Sequence, residues 1–403
     1  MATLAATTAF AQSTATLYGV VDTGYRSVES GSNKFSGLAN GSNLSNRLGF
    51  KGTEDMGGGM SAAFVMEGDL VPSDGTASGF KFLRQSTVGI MGGFGEVRLG
   101  RDYTPAFRVF GIVDPFGTVG VGSAGNIMWS TVYGAPLSTT AAPNDLTPQQ
   151  VQDFTSTFST AARQSTTTAS PASLTSARLT IAEPNLVRAN NSFAYYSPAV
   201  SGFKASLMYS AGIQNTFTLK NQGAMTGLSL NYANGPLVVA YANQITKGGA
   251  IQQPAGAAGT GVTATVGTDN LSFTTDFLAA SYDLGVAKAG LGYRTEKMGD
   301  KTSSINTKAW IYSVSAPLGA LTLKASYITK KGEVAVAPYA INTDAGEQFA
   351  VGAVYDLSKR TALYATYAEL KNKAGFANNV GSAAASAGGV KSSGFDVGVR
   401  HSF

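Results

Sequence analysis

The sequence predicts an all-β chain, closed as a 16-stranded antiparallel transmembrane β-barrel with one long extracellular loop folded into the lumen. Three observations predict it: hydropathy alternating with period two, connections alternating between short and long, and an even number of strand-like segments.

The alternation is the primary signal. In residues 202–212, Phe203, Ala205, Leu207 and Tyr209 share one face, and Lys204, Ser206, Met208 and Ser210 share the other. That is the spacing of an extended strand, whose side chains point alternately to opposite sides. Leu321, Leu323, Ala325 and Tyr327 alternate in the same way with Thr322, Lys324 and Ser326. At the C-terminus Phe395, Val397, Val399 and Phe403 alternate with Asp396, Gly398, Arg400 and Ser402. Sixteen segments follow this rule, at about 15–29, 45–54, 60–69, 84–92, 94–101, 189–197, 202–211, 224–233, 236–246, 269–283, 286–298, 304–316, 319–331, 346–357, 361–372 and 391–403.

The connections supply the topology. Asp55–Gly59, Gly92-Gly93, Ser197–Ser201, Ala233–Gly235, Asp283–Gly285, Ala316–Gly319 and Leu357–Arg360 are short, and longer polar stretches fall between them. An up-and-down barrel needs this order when its tight turns share one rim. An even strand count returns both termini to that rim, so the first and last strands can pair and leave no open edge in lipid. A soluble β-sandwich also alternates. Here, however, most segments reach the roughly 9–11 residues that a tilted membrane strand requires. Aromatic residues near strand ends (Tyr18, Tyr25, Tyr195, Tyr209, Tyr232, Tyr293, Tyr327, Tyr355 and Phe403) suit interfacial girdles.

Composition agrees with one apolar and one wet surface. Charged residues make up 13% of the chain, against roughly 25% in an ordinary soluble domain. Mean hydropathy is nevertheless near zero, because Ser, Thr, Asn and Gly carry the polarity. The absence of cysteine excludes disulfides and thiolate chemistry. One histidine, His401, excludes multi-histidine metal sites, and no Ser-His-Asp arrangement is present, so neither a metal, a cofactor nor an enzymatic activity is expected. The net charge of +5 is spread along the chain without a basic stripe, which argues against nucleic acid. No stretch reaches the roughly 18–20 apolar residues of a membrane helix. Residues 1–11 read as a signal-peptide remnant, with Ala9-Phe10-Ala11 as its small-x-small site, leaving 12–403 as a single barrel domain.

The connection 102–188 carries no clean repeat. Thr155–Ser176 is of low complexity, and Leu146–Phe158 suggests a short helix near Pro148. Loops of this size are uncommon unless they have a job, and narrowing an otherwise leaky barrel is one. The alternatives are a loop lying outside, or an extra strand pair hidden within it.

Candidate lining residues follow from parity. Leu48 and Phe50 share one face of their strand, and Arg47, Gly49 and Lys51 the other. A guanidinium on the lipid face near midplane costs roughly 2–4 kcal/mol, so Arg47 and Lys51 are expected to face water. The same logic places Arg98 with Glu96, opposite Val97 and Leu99, and Arg101 ends that strand. Arg84 has mixed parity partners in Ser86, Val88 and Ile90. These five cations predict a mild anion preference. The available loop acids are Asp102, Asp114, Asp145, Asp153 and Glu183, with Asp102 and Asp114 as the candidates; a loop carboxylate facing the guanidiniums would set a transverse field.

Several stretches carry a family resemblance. They are Leu17–Asp22 (LYGVVD), Ser45–Gly59 (SNRLGFKGTEDMGGG), Gly95–Arg101 (GEVRLGR) and Asp114-Pro115-Phe116-Gly117. Asn191-Ser192, Tyr196-Ser197-Pro198, Gly202-Phe203, the stretch Tyr355–Tyr367 with Leu357-Ser358-Lys359-Arg360-Thr361, and the terminal Phe403 follow. In this order they span nearly the whole chain, which resembles the trimeric Gram-negative general-diffusion porins of beta-proteobacteria. The resemblance implies a homotrimer in the outer membrane, among its lipids and lipopolysaccharide, each subunit a water-filled channel for ions and small hydrophilic solutes. It implies the third extracellular loop as a constriction, Arg47 and Arg84 in a basic ladder beside it, and Asp114 on the loop. It also implies Phe403 as the signal for the outer-membrane insertion machinery. The loop 102–188 is longer than the family pattern. The main alternative is a substrate-specific channel for small organic acids or sugars, although Phe110, Phe116, Trp129, Tyr133, Phe154 and Phe158 look too scattered for an aromatic slide. An outer-membrane enzyme and a soluble adhesin-like sandwich are remoter ones.

Overall fold

Alternation sorts the side chains of every strand between two faces, and the sheet closes so that one face is entirely internal. The computed structural model describes residues 14–75, 80–129, 131–133, 179–182, 185–212, 223–247, 250–252, 265–267, 272–299, 303–336, 339–373, 378–381 and 389–403. The first elements are β1 (Thr14–Ser30), β2 (Asn33–Asn40), β3 (Arg47–Gly57), β4 (Met60–Gly68), β5 (Gln85–Gly92) and β6 (Gly95–Tyr103). The long connection contains α1 (Pro105–Phe110), α2 (Gly125–Met128), β7 (Thr131–Tyr133) and β8 (Leu179–Ala182). Next come β9 (Arg188–Tyr196), β10 (Phe203–Ala211), β11 (Ala224–Asn234), β12 (Leu237–Lys247), β13 (Ala250–Gln252) and β14 (Thr265–Gly267). The rest are β15 (Ser272–Asp283), β16 (Lys288–Gly299), β17 (Ser303–Leu318), β18 (Leu321–Val336), β19 (Tyr339–Asp356), β20 (Thr361–Asn372) and β21 (Lys391–Ser402).

Wall strands pair antiparallel with their chain neighbours, and β1 closes the ring on β21, from Val20 opposite Ser402 to Ser30 opposite Ser392. The terminal Phe403 completes the seam by exchanging both backbone hydrogen bonds with Gly19. β2 and β3 are two halves of one wall strand: β1 pairs with β3 over Thr14–Val20 and with β2 over Thr23–Ser30. The barrel is therefore the expected 16-stranded antiparallel one.

The expected second strand, 45–54, is only the lower half of the real one. Its upper half returns from β1 through a tight turn at Gly31-Ser32, and residues 41–46 interrupt the two halves. The cause is the buried Asp22, whose carboxylate accepts from the amides of Asn43 (2.8 Å) and Leu44 (2.6 Å), while its own amide donates to the Asn46 side chain. These bonds draw the backbone inward, out of the ladder.

The outer face is apolar. Phe203, Leu207 and Tyr209 are exposed on it, whereas Ser206, Met208 and Ser210 of the same strand are buried inside. One expected girdle residue departs from this. Tyr18 lies opposite Gly49 on the inner parity and donates to Glu67 (3.1 Å).

The internal core is made by the loop. From Thr104, whose hydroxyl caps α1, to Trp129 the chain runs along the inner wall. Phe110, Val113, Phe116, Ile127 and Met128 are buried against wall residues including Ala240, Phe277, Ile311, Ile328 and Ala350. Burying each large apolar side chain contributes about 1.5–3 kcal/mol. Gly352 makes room for Phe116, since a Cβ there would lie 2.9 Å from the ring. Polar anchors pin the loop backbone: Gln348 donates to the Ser123 carbonyl (2.9 Å), Arg294 (2.7 Å) and Lys330 (3.2 Å) donate to that of Met128, and Asp396 accepts from the Val121 amide (2.9 Å).

One of the other readings of the long connection, an extra strand pair within it, is compatible with this one. β7 and β8 do form a strand pair, joined by β13 and β14 into a separate four-stranded sheet. The expected helix at 146–158, the low-complexity stretch 155–176, the acids Asp145, Asp153 and Glu183, and the signal-like residues 1–11 lie outside the described residues.

Candidate functional site

The loop covers one half of the inner wall, which confines the passage to the side formed by β3–β6 and the start of β9. There a space of about 390 Å³ is lined by Arg47, Arg84, Arg108 and Arg188 with Tyr103, Phe107 and Trp129. Below it a second space of about 300 Å³ is lined by Lys51, Glu96, Arg98 and Thr87.

Three of the five expected cations reach these spaces through strand parity. Arg47 donates to the Ser45 carbonyl (3.2 Å) and lies 3.7 Å from Glu67. Lys51 sits 5.2 Å from the centre of the Tyr18 ring. Arg98 is held by Glu96 (2.7 Å) and Asp102 (2.8 Å), and its guanidinium covers Tyr196 at 4.8 Å.

Arg84 arrives by a different route. It precedes β5 at a bend, so the outward parity of Val88 and Ile90 does not bind it. Its side chain turns inward and donates to Glu67 (2.7 Å), Asp69 (3.0 Å) and Tyr103 (3.0 Å). Arg101 goes the other way. The ladder to β9 shifts between Gly100 and Asp102, whose partners Ser192 and Ala189 are three apart, so the extra residue lies on β9, where Asn191 takes φ 49°, and β6 itself keeps its alternation. Arg101 is left on the parity of Val97 and Leu99, bonded to the Leu83 carbonyl and Asn190. It belongs to the outer side of the wall near the loop rim, a correction to its expected lining role.

The acids also depart from expectation. Asp102 is a wall residue of β6, fully buried, that joins Arg98 of the wall to Arg108 of the loop (2.9 Å) and accepts from the Tyr196 hydroxyl (2.9 Å). Asp114 is buried within the loop, where its carboxylate accepts from the amides of Phe116 (3.0 Å), Thr118 (3.1 Å) and Ala124 (3.2 Å). Burial pushes that carboxyl up to about 6, and the three amides oppose the shift. Asp114 thus ties the Asp-Pro-Phe-Gly turn together and does not face the guanidiniums. Among the described loop residues the charge that lines the passage is the cation Arg108. Among the described residues, cations therefore stand on both the loop and the wall side of the passage.

Sequence reasoning missed Arg108, Arg188, Tyr103 and Phe107. Arg188 lay one residue before the strand predicted at 189–197 and thus escaped the parity argument. Arg108 sits in a short helix, where period two says nothing about facing. Arg188 spans Tyr103, with its guanidinium 4.6 Å from the ring centre and its Nη2 donating to the hydroxyl (3.1 Å). Around the passage, Arg47, Arg84, Arg98 and Arg108 meet Glu67, Asp69, Glu96 and Asp102. Among the described residues no carboxylate pairs with Arg188, and its Nε is enclosed without a hydrogen-bond partner.

Comparison with known proteins gives this geometry a relation. A family model described as Gram-negative porin matches residues 1–375. The chain is 34% identical over 414 residues to outer membrane porin protein 32 of Delftia acidovorans, with 100% of this chain and 98% of that protein covered. It is 27% identical over 440 residues to an outer membrane porin protein of Bordetella pertussis, covering 98% of this chain and 95% of the relative. Among solved structures, the anion-selective porin from Comamonas acidovorans superposes with a TM-score of 0.72 at 28% identity, over 97% of this chain and 100% of that one. A closed sixteen-stranded wall, an internal loop and end-to-end similarity agree: the chain belongs to the Gram-negative porins, and it is a general-diffusion channel of the bacterial outer membrane.

Proposed function

We propose that this channel passes ions and small hydrophilic solutes passively, with a mild preference for anions. The observation that carries the reading is the unmatched cation Arg188, placed with Arg47, Arg84 and Arg108 around the narrow passage. Ion preference follows from the charge that lines the narrowest section, and in a confined space with low-dielectric walls that charge is poorly screened. Most of the guanidiniums already hold carboxylates, which is why the preference is mild. The anion-selective porin from Comamonas acidovorans supports the same direction. In planar bilayers under a KCl gradient, the reversal potential is expected to have the sign of chloride permeation. Arg188→Gln should move it toward zero. A cation-selective wild type overturns the reading.

The expected homotrimer and lipopolysaccharide contacts belong to the same proposal. Family membership supports them, and an apolar outer face that includes the β1–β21 seam offers a surface to cover. Light scattering in mild detergent should give three times the subunit mass; a monomer would remove the trimer.

A second reading, a channel specific for small organic acids or sugars, gains one observation. Tyr103 and Phe107, four residues apart, meet Trp129 from further along the loop at the passage.

A further inference from the structure

We propose that the constriction contains a subsite for aromatic carboxylates, with the ring against Phe107 and Trp129 and the carboxylate at Arg188 and Arg47. The proposal rests on the anion-preferring reading and adds a class of permeant to it.

The passage is two-sided. On one side, Arg47, Arg84 and Arg188 line it, and on the other stand Phe107, Trp129 and Val119 of the loop. A small inorganic anion needs only the first side. A carboxylate attached to a planar apolar body uses both. The volume of about 390 Å³ lies at the lower end of ordinary small-molecule pockets, large enough for one ring and its acid group.

The donors divide clearly. Arg84 is occupied by Glu67, Asp69 and Tyr103, and Arg98 by Glu96 and Asp102. Among the described residues Arg188 holds the Tyr103 hydroxyl and no carboxylate, and Arg47 reaches Glu67 only at 3.7 Å. Guanidinium forks bind carboxylates in their own plane. Arg188 already lies over the Tyr103 ring, so its orientation is set before a ligand arrives.

The aromatic side is equally ordered. Tyr103 and Phe107 are stacked, 5.3 Å apart and 13° from parallel, and Trp129 meets Phe107 at 5.7 Å and 49°. Phe107 and Trp129 are half-buried, so part of each ring faces the passage. A fourth ring entering here can take an offset or edge-on position against them, the geometry that ring quadrupoles favour.

The test is the permeability of benzoate relative to cyclohexanecarboxylate and acetate, read from bi-ionic reversal potentials in planar bilayers with the full chain. Benzoate should pass more readily than cyclohexanecarboxylate, which is similar in size and charge but has no π face. Phe107→Leu and Trp129→Leu keep apolar bulk in the loop. Each should lower the benzoate to cyclohexanecarboxylate ratio about two- to tenfold, the size of one aromatic contact. Arg188→Gln should weaken both organic anions and chloride together. Equal permeation of the two ring acids in the wild type, or a ratio untouched by both leucine variants, overturns the proposal. A wild type that prefers potassium defeats the underlying anion reading instead, and the two failures are therefore distinguishable.

Discussion

The inner wall has two halves of opposite chemistry built on the same backbone period. On β3–β6 the inward positions include Arg47, Lys51, Glu67, Glu96, Arg98 and Asp102. On β12–β20 they include Ala240, Ala279, Ala309, Ile311, Ile328 and Ala350, all buried. The first half faces the passage, and the second is the seat of the loop. Under the loop, those inward positions are small or apolar, and Arg294, Lys330 and Gln348 bond its backbone carbonyls. Small residues on the seat leave room for Phe110, Val113 and Phe116, so the barrel holds a packed core beside an open channel.

The seat is the place to break this comparison. Phe110 packs between Trp129 and Phe277, with ring centres 5.1 and 5.7 Å away. Phe110→Ala should cost about 3–5 kcal/mol of loop seating. Single channels are then expected to become noisier and wider on average. An unchanged, quiet conductance would assign the loop's position to its polar anchors alone.

A smaller effect sharpens the contrast. Ala309→Phe overpacks the seat, costs about 1–3 kcal/mol, and should lower both unit conductance and thermal stability by pushing the loop into the passage. Ala63→Phe, on the open half beside Lys51 and Arg98, should narrow the lower space without a comparable loss of stability. Equal losses in the two variants would erase the distinction between seat and channel.

The smallest expected effect is on pH. Burial raises the Asp114 carboxyl from 3.8 to about 6. A raised carboxyl favours the folded loop most at low pH, and this contribution is lost as pH climbs through about 6. Loop-dependent current noise should therefore increase between pH 4 and pH 7 in the wild type, and Asp114→Asn should flatten that dependence. A variant with the wild-type slope would show that another group is responsible.

Much of the barrel was legible because period two is a local property of an extended backbone. The inward facing of Arg47, Lys51 and Arg98 follows from their neighbours Leu48, Phe50, Val97 and Leu99 alone. Legibility stops where the ladder is interrupted. A bend before β5 turns Arg84 inward, the short helix α1 carries Arg108 to the passage, and Asp22 pulls residues 41–46 out of the second strand. At these places facing is set by contacts that the hydrophobic pattern does not record, whereas Arg101, two residues beyond Leu99, simply follows the outward parity of Val97 and Leu99.

By itself the sequence determined the closed sixteen-stranded wall, its lipid-facing and internal sides, and the place of one long connection, since hydropathy period, strand length and turn spacing are written in consecutive residues. Only the tertiary structure decided which half of the lumen the loop covers, that Asp114 is buried in its turn, and that Arg108 and Arg188 join the aromatic rings at the passage. Those outcomes depend on contacts between residues far apart in the chain, whose free energies are settled by what each side chain finds when the barrel closes.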